Sequence, residues 1–127
     1  PGAANLNLHE GLRKLLVKQN ENGKRLGAIC AAPMVLGSVG VLKGKRATCY
    51  PGFEKRLTGA EYTGELCTID GNITTGKGPA AAFIYGFTLL EQLTSIAIAK
   101  EVKDGIQTIQ YQIQTLNTSN GRVLAHY

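Results

Sequence analysis

The chain has 127 residues, of which 43% are hydrophobic, and it carries three cysteines and a formal net charge of +5 at pH 7. This length and composition suit one modest folded domain and exclude a disordered chain, and no apolar run approaches the roughly 20 residues that cross a bilayer. The basic residues are scattered and do not alternate with aromatic residues, so the charge favours a solvated basic surface over a nucleic-acid partner.

The start of the chain and its cysteines indicate whether the chain has been processed and in which compartment it lies. Pro1 and Gly2 stand where an initiator Met would be, and no signal peptide follows, so we expect a processed or truncated chain. Three cysteines without short spacing favour reduced thiols over a disulfide framework or a zinc site. We therefore expect a cytoplasmic protein with no metal or other cofactor.

Leucines at helical spacing predict a first helix that ends at Asn22-Gly23. These leucines are Leu8, Leu12, Leu15 and Leu16. Residues 26–29 form a short apolar run, which is typical of a buried parallel strand. Pro33 suits the first turn of a second helix, where its missing N–H costs little, and Gly40 predicts the end of that helix.

The middle of the chain predicts short elements. Residues 47–50 have the pattern of a strand, and residues 53–57 that of a short helix. Residues 66–69 and 72–75 flank Asp70-Gly71, a strong signal for a tight turn, and so predict a hairpin or a bent strand pair.

Two helices are predicted next, one from near Ala80 and one from about Ser95 to Lys103, with Ser95 or Thr94 as its cap. From residue 106 onward the isoleucines fit both helical and strand spacing, with length slightly favouring a helix. Strands that alternate with helices predict an α/β sheet layered between helices. We expect one domain over residues 1–105 and a C-terminal extension over 106–127.

Residues 71–77 fit the first seven positions of a phosphate-binding P-loop. Gly78 follows where a Ser or Thr should bind Mg²⁺, and Pro79 removes an amide that the phosphate cradle needs. We interpret the segment as a strand-to-helix turn, with anion binding at the helix start as the open alternative.

Cys30 stands where the predicted strand runs directly into the second helix. Ala28 and Ala32, two positions to either side, are small enough for the tight bend of a nucleophile elbow. The amide of Ala31 would then donate to an oxyanion, and the amides at the helix start would favour the reactive thiolate. A buried structural cysteine is the alternative for Cys30, and it is favoured for Cys49 and Cys67.

The segment Ala28-Ile29-Cys30-Ala31-Ala32-Pro33 resembles the cysteine turn of the ThiJ/PfpI superfamily, in the branch of the Parkinson-associated protein deglycase and its bacterial homologues. Residues 1–6, 47–51 and 74–79 are similar to three further segments of that family, in the same order. The resemblance covers about residues 1–103. It implies a flavodoxin-like layered sandwich with a mostly parallel sheet, of which this chain holds the C-terminal portion.

The resemblance also implies roles for single residues. Cys30 would be the nucleophile and an oxidation-sensitive thiol, and Ala31 would contribute its backbone amide. Tyr50 takes the place where many relatives carry a His beside the cysteine, so we expect it to bind substrate rather than act as a base. His9 and His126 are expected to be bystanders. In relatives, the Glu that bonds the cysteine sulfur lies in a segment that would precede Pro1.

The implied function is glyoxalase- or deglycase-like chemistry on small reactive carbonyls or on the proteins they modify, in a homodimer without membrane contact. Two alternatives stay open: a non-enzymatic redox sensor or chaperone-like protein of oxidative stress, and an inactive fragment without its partner Glu. Relatives often carry a label for thiazole monophosphate biosynthesis, which nothing in these residues supports.

Overall fold

A computed structural model describes residues 1–106. Residues 1–89 form one compact unit and residues 90–106 belong to a second, and each unit is described by itself. None of the helices in the described part of the chain has the length and apolar character of a membrane span.

The elements alternate between helices and strands. The first half comprises α1 (Gly2–Leu8), α2 (Glu10–Glu21), β1 (Leu26–Ile29), α3 (Pro33–Ser38), β2 (Arg46–Ala47) and a 3₁₀ turn at Glu54–Arg56. The second half comprises β3 (Glu61–Tyr62), β4 (Cys67–Asp70), β5 (Ile73–Gly76), a 3₁₀ turn at Pro79–Ala81, α4 (Ala82–Leu93) and α5 (Ile96–Gly105).

The main sheet of the first unit has the strand order β1-β5-β4. Strand β1 runs parallel to β5, with Leu26 opposite Ile73 and Ile29 opposite Gly76, and β4 pairs antiparallel with β5. Strands β2 and β3 form a separate parallel pair. The sheets are therefore mixed, with a parallel pair at the point where the chain leaves β1 for α3.

Helices cover both faces of β1. A Cβ on Gly27 would collide with the hydroxyl of Tyr85, which shows how closely α4 lies over that face. Ala28, the next residue, points to the opposite face because side chains alternate along a strand. There it borders a small apolar cavity with Leu16 of α2 and Val35 of α3. The helix–sheet–helix layering confirms the predicted α/β fold.

Side-chain hydrogen bonds join the helices on one face of the sheet. The guanidinium Nη1 of Arg13 in α2 donates to Oδ1 of Asn7 at 2.7 Å and to Oγ of Ser38 at 2.8 Å. The side-chain amide of Asn72, in the β4–β5 turn, donates to the carbonyl of Lys24 at 2.8 Å. These bonds fix both ends of the α2–β1–α3 segment that presents Cys30.

Local signals predicted several elements correctly. Strand β1 has the predicted bounds, and the hairpin turns at Gly71, whose φ is +57°. Pro33 opens α3, and Ser95 caps α5 by accepting a hydrogen bond from the Ile98 amide. Each of these sequence signals acts locally, because the residue's own backbone or short side chain makes the required interaction within a few positions along the chain.

Other predictions were wrong in ways that have a physical cause. The strand predicted over residues 47–50 reduces to Arg46–Ala47, because the Thr48 amide donates to the side-chain Oγ1 of Thr75 instead of to a ladder. Leu8 is not on the face of α2: it ends α1, a helix that we did not predict, and it is exposed. The helix predicted over residues 53–57 is a single 3₁₀ turn.

The remaining sequence predictions have mixed outcomes. The match to a P-loop does not hold, because residues 73–76 are a strand rather than a cradle of amides, and anion binding at the helix start stays an untested alternative. The helix-or-strand prediction for the C-terminal extension falls on residues 107–127, which lie outside the described residues. The domain boundary at residue 105 stays a prediction.

Close packing of α3 makes Gly37 intolerant of a side chain. A Cβ at Gly37 would meet the carbonyl oxygen of Arg56 and lie 2.9 Å from the amide nitrogen of Thr58. We expect Gly37→Ala to lower the free energy of unfolding by about 1–3 kcal/mol, because backbone atoms must move. Urea unfolding measures this change.

The matched control is Gly86→Ala, since Gly86 lies inside α4 with no atom near its Cβ position. We expect this variant to gain about 1 kcal/mol from helix propensity. Equal effects of the two substitutions would contradict the packing argument.

Candidate functional site

Cys30 lies in the turn between β1 and α3 and has a backbone φ of +66°. It is the one non-glycine residue with positive φ in residues 1–106; the others in that region are glycines. The left-handed conformation costs an L-residue roughly 1–2 kcal/mol. A strained residue at a strand-to-helix turn is the geometry that exposes a nucleophile in elbow-type active sites.

Backbone hydrogen bonds hold Cys30 from two sides. Its N–H donates to the carbonyl of Gly76 at 2.9 Å, and its own carbonyl accepts from the N–H of Tyr50 at 2.8 Å. Both bonds use main-chain atoms only. The Cys30 side chain is half-buried and takes no part in these two bonds.

The small residues predicted on either side of Cys30 are closely packed in the structure. Ala28 is buried, and Ala32 packs against the hydrophobic core. The Ala32 amide donates back to the carbonyl of Ile29, which closes the turn. The Ala31 amide, by contrast, has no acceptor among residues 1–106. It is the amide that follows the cysteine, which is the position of an oxyanion donor in elbow-type active sites.

Sequence reasoning missed Gly76, although it is the acceptor that fixes Cys30. A Cβ at Gly76 would lie 2.9 Å from Ile29 Cγ1 and 2.9 Å from Tyr85 Cδ2. A larger residue there would push β5 away from β1 and break the bond to the Cys30 amide. The signal that could have found it is glycine at the end of a strand pattern, which marks close backbone approach.

Tyr50 is brought next to Cys30 by its backbone. The residue is 46% exposed, and a Cβ on Gly78 would lie 3.1 Å from its ring atom Cδ2. With Lys77 and Pro79, Tyr50 lines a cavity of about 260 Å³. The structure therefore brings the backbones of Cys30 and Tyr50 together, with Ala31 next in the chain, while the cavity is lined by Tyr50 and not by Cys30 or Ala31.

His9 lies elsewhere, where its Nδ1 caps α2 by accepting from the Leu12 amide at 3.0 Å, and His126 lies outside the described residues. No side chain in residues 1–106 forms a hydrogen bond with the Cys30 sulfur, and no three metal-ligating side chains cluster there. The described residues thus supply a thiol and a backbone donor, with no side-chain hydrogen-bond partner for the sulfur among them.

The other two cysteines have environments that keep them protonated. Burial, followed by the charges of Glu54 and Cys30, raises the pKa of the Cys49 thiol to about 11. Burial also raises the pKa of Cys67, against a smaller opposing effect of its hydrogen bond with Thr88. Both thiols are therefore poor nucleophiles at neutral pH.

Comparison with known proteins decides the family. The model of the DJ-1/PfpI family matches residues 1–92, which is most of the chain. The chain belongs to the DJ-1/PfpI family. The resemblance of the cysteine turn to that superfamily is thereby confirmed. The crystal structure of Drosophila melanogaster DJ-1beta superposes with a TM-score of 0.80 at 31% identity, over 84% of this chain and 58% of that one.

Curated relatives in the DJ-1/PfpI family are longer than this chain. Protein DJ-1 homolog B of Arabidopsis thaliana is 39% identical over 80% of this chain and 24% of its own length. The glutathione-independent glyoxalase DJR-1.2 of Caenorhabditis elegans is 33% identical over 73% of this chain and 50% of its own. The deglycase PH1704 of Pyrococcus horikoshii is 31% identical over 61% of this chain and 48% of its own. The chain thus spans about half, or less, of the relatives it matches.

The thiol environments predict an order of alkylation by iodoacetamide at pH 7.5: Cys30 first, then Cys67, and Cys49 last. Cys49 is fully buried and its raised pKa leaves little thiolate, so its labelling should accelerate about tenfold per pH unit up to about pH 11. Mass spectrometry of tryptic peptides measures each site separately. In concentrated urea the three rates should converge, and a persistent difference there would contradict an effect of folding.

Proposed function

We propose that Cys30 is the nucleophile of a glyoxalase- or deglycase-type reaction on small reactive carbonyls or on their adducts with proteins. The observation that carries this proposal is the strained φ of Cys30 at the end of β1, next to an Ala31 amide that has no acceptor in the described residues. Family relatives named as a glyoxalase and a deglycase support the substrate class.

The reaction with methylglyoxal follows from these groups. The Cys30 sulfur attacks the aldehyde carbon and forms a C–S bond, while the C=O electron pair moves to oxygen, where the Ala31 amide donates to it. Protonation of that oxygen gives a hemithioacetal. Transfer of the remaining aldehyde hydrogen, as a proton, to the neighbouring carbon gives a thioester of a 2-hydroxy acid. Water then hydrolyses the thioester and releases the acid and the thiol.

Tyr50 is the residue we propose for substrate contact, because it is exposed, its amide is bonded to the Cys30 carbonyl, and it lines a cavity. Its hydroxyl can donate to a carbonyl or hydroxyl oxygen of the substrate. From the family resemblance we also propose a homodimer in the cytoplasm.

The test is consumption of methylglyoxal by the chain and by Cys30→Ala. We expect the variant to lose activity by at least about a hundredfold, the scale of losing a covalent nucleophile. Cys67→Ala is the matched control and should keep the activity of the unmodified chain. Equal turnover with and without the Cys30 thiol would overturn the proposal, and absence of turnover in the unmodified chain would favour an inactive fragment.

A second candidate function is redox sensing through oxidation of Cys30. The observation that favours it is the contrast between a half-exposed Cys30 and two thiols whose raised pKa values protect them from oxidation. The described residues place no base near the Cys30 sulfur, and a redox function does not need such a catalytic partner.

For the redox function we expect mild hydrogen peroxide to add oxygen to Cys30 before it modifies Cys67. Peptide mass spectrometry over time measures the order. Simultaneous oxidation of all three cysteines would count against a sensing role.

A further inference from the structure

A second cysteine, Cys49, is held near Cys30 by a backbone hydrogen bond. The Tyr50 amide donates to the Cys30 carbonyl at 2.8 Å, and Cys49 precedes Tyr50 in the chain. With standard bond lengths, a hydrogen bond of this length brings the α-carbons of Cys30 and Cys49 to about 5–7 Å. Disulfides in proteins join α-carbons in about this range.

The two thiols also interact electrostatically. The negative charge that a Cys30 thiolate would carry is one of the causes that raise the pKa of Cys49, after burial and Glu54. Cys49 is fully buried in the core beside Ala28, Ala47 and Leu57. It is thus inaccessible to reagents in solution but next to the turn that carries Cys30.

Cys67 does not share this proximity. It lies opposite Gly76 on β5, and Gly76 lies opposite Ile29 on β1. Two strand spacings of about 4.8 Å therefore separate Cys67 from the end of β1. That distance exceeds the limit of about 7 Å for a disulfide without backbone movement.

We propose that Cys49 is the resolving thiol for oxidised Cys30, so that the two cysteines form a reversible intramolecular disulfide at the candidate site. This step is independent of carbonyl turnover and would protect the nucleophile from irreversible oxidation. It adds a modification site that the proposed function does not require.

The step uses one molecule of hydrogen peroxide as oxidant. The Cys30 sulfur attacks the peroxide oxygen, the O–O bond breaks, and Cys30 becomes a sulfenic acid as water leaves. The Cys49 thiolate then attacks the Cys30 sulfur, the S–S bond forms, and the hydroxyl group leaves and takes up a proton as water. Two electrons pass from the thiol pair to the peroxide.

Burial of Cys49 sets the rate of the second step. Because its pKa is about 11, the thiolate fraction at pH 7 is small, and it rises about tenfold per pH unit. Resolution is therefore slow at neutral pH, where excess peroxide drives Cys30 onward to sulfinic acid, and fast at pH 9.

The test treats the reduced chain with one equivalent of hydrogen peroxide at pH 7, 8 and 9, which leaves no oxidant for a second oxidation of the same sulfur. The thiols are then alkylated and the chain is digested with trypsin. Cys30 and Cys49 fall on separate peptides, residues 26–43 and 47–55, and Cys67 falls on residues 57–77. A disulfide is therefore seen directly as a linked pair of peptides.

We expect the 26–43 peptide linked to the 47–55 peptide, formed about tenfold faster per pH unit and cleaved by a thiol reductant. Cys67→Ala should form it normally, and Cys30→Ala and Cys49→Ala should not. If Cys49→Ala fails to fold, the pH dependence in the unmodified chain decides. Two results would overturn the proposal. One is Cys30 that carries oxygen at pH 9 while no linked pair of peptides forms, and the other is linkage of Cys30 to the Cys67 peptide as often as to the Cys49 peptide.

Discussion

Two backbone hydrogen bonds on either side of Cys30 are the constraint on which the rest of the site depends. One joins its N–H to Gly76 at the end of β5, and the other joins its carbonyl to the amide of Tyr50. Together they hold a residue in a left-handed conformation that an isolated cysteine would avoid. Because both bonds are made by the main chain, neither of them uses the thiol.

That constraint links distant parts of the sequence. Gly76 reaches Cys30 because β5 lies parallel to β1, and β5 itself is held in register by its hairpin with β4. The Thr75 side chain, one residue before Gly76, accepts from the Thr48 amide at 2.9 Å and so holds the segment that carries Cys49 and Tyr50. The candidate site is therefore assembled from three chain segments that meet at the carboxyl end of β1.

The three cysteines differ through their surroundings rather than their chemistry. Cys49 lies in the core, Cys67 is half-buried in β4, and Cys30 stands on a turn. Burial disfavours the charged form of a thiol, so Cys49 and Cys67 stay mostly protonated, and therefore unreactive, at neutral pH. The sequence favoured structural roles for Cys49 and Cys67, but only the fold brings Cys49 beside Cys30 and keeps Cys67 two strands away.

The sequence by itself determined the elements whose signals are local: the apolar β1, the Asp-Gly hairpin, Pro33 at the start of α3 and Ser95 at the start of α5. These residues act through their own backbone conformation or through contacts within a few positions along the chain. Only the tertiary structure decided that residues 48–50 leave the strand, that Gly76 fixes Cys30 and that the Tyr50 ring lies close to Gly78. Each of these depends on partners more than 15 residues away, and no local pattern encodes which distant donor or acceptor a backbone group will meet.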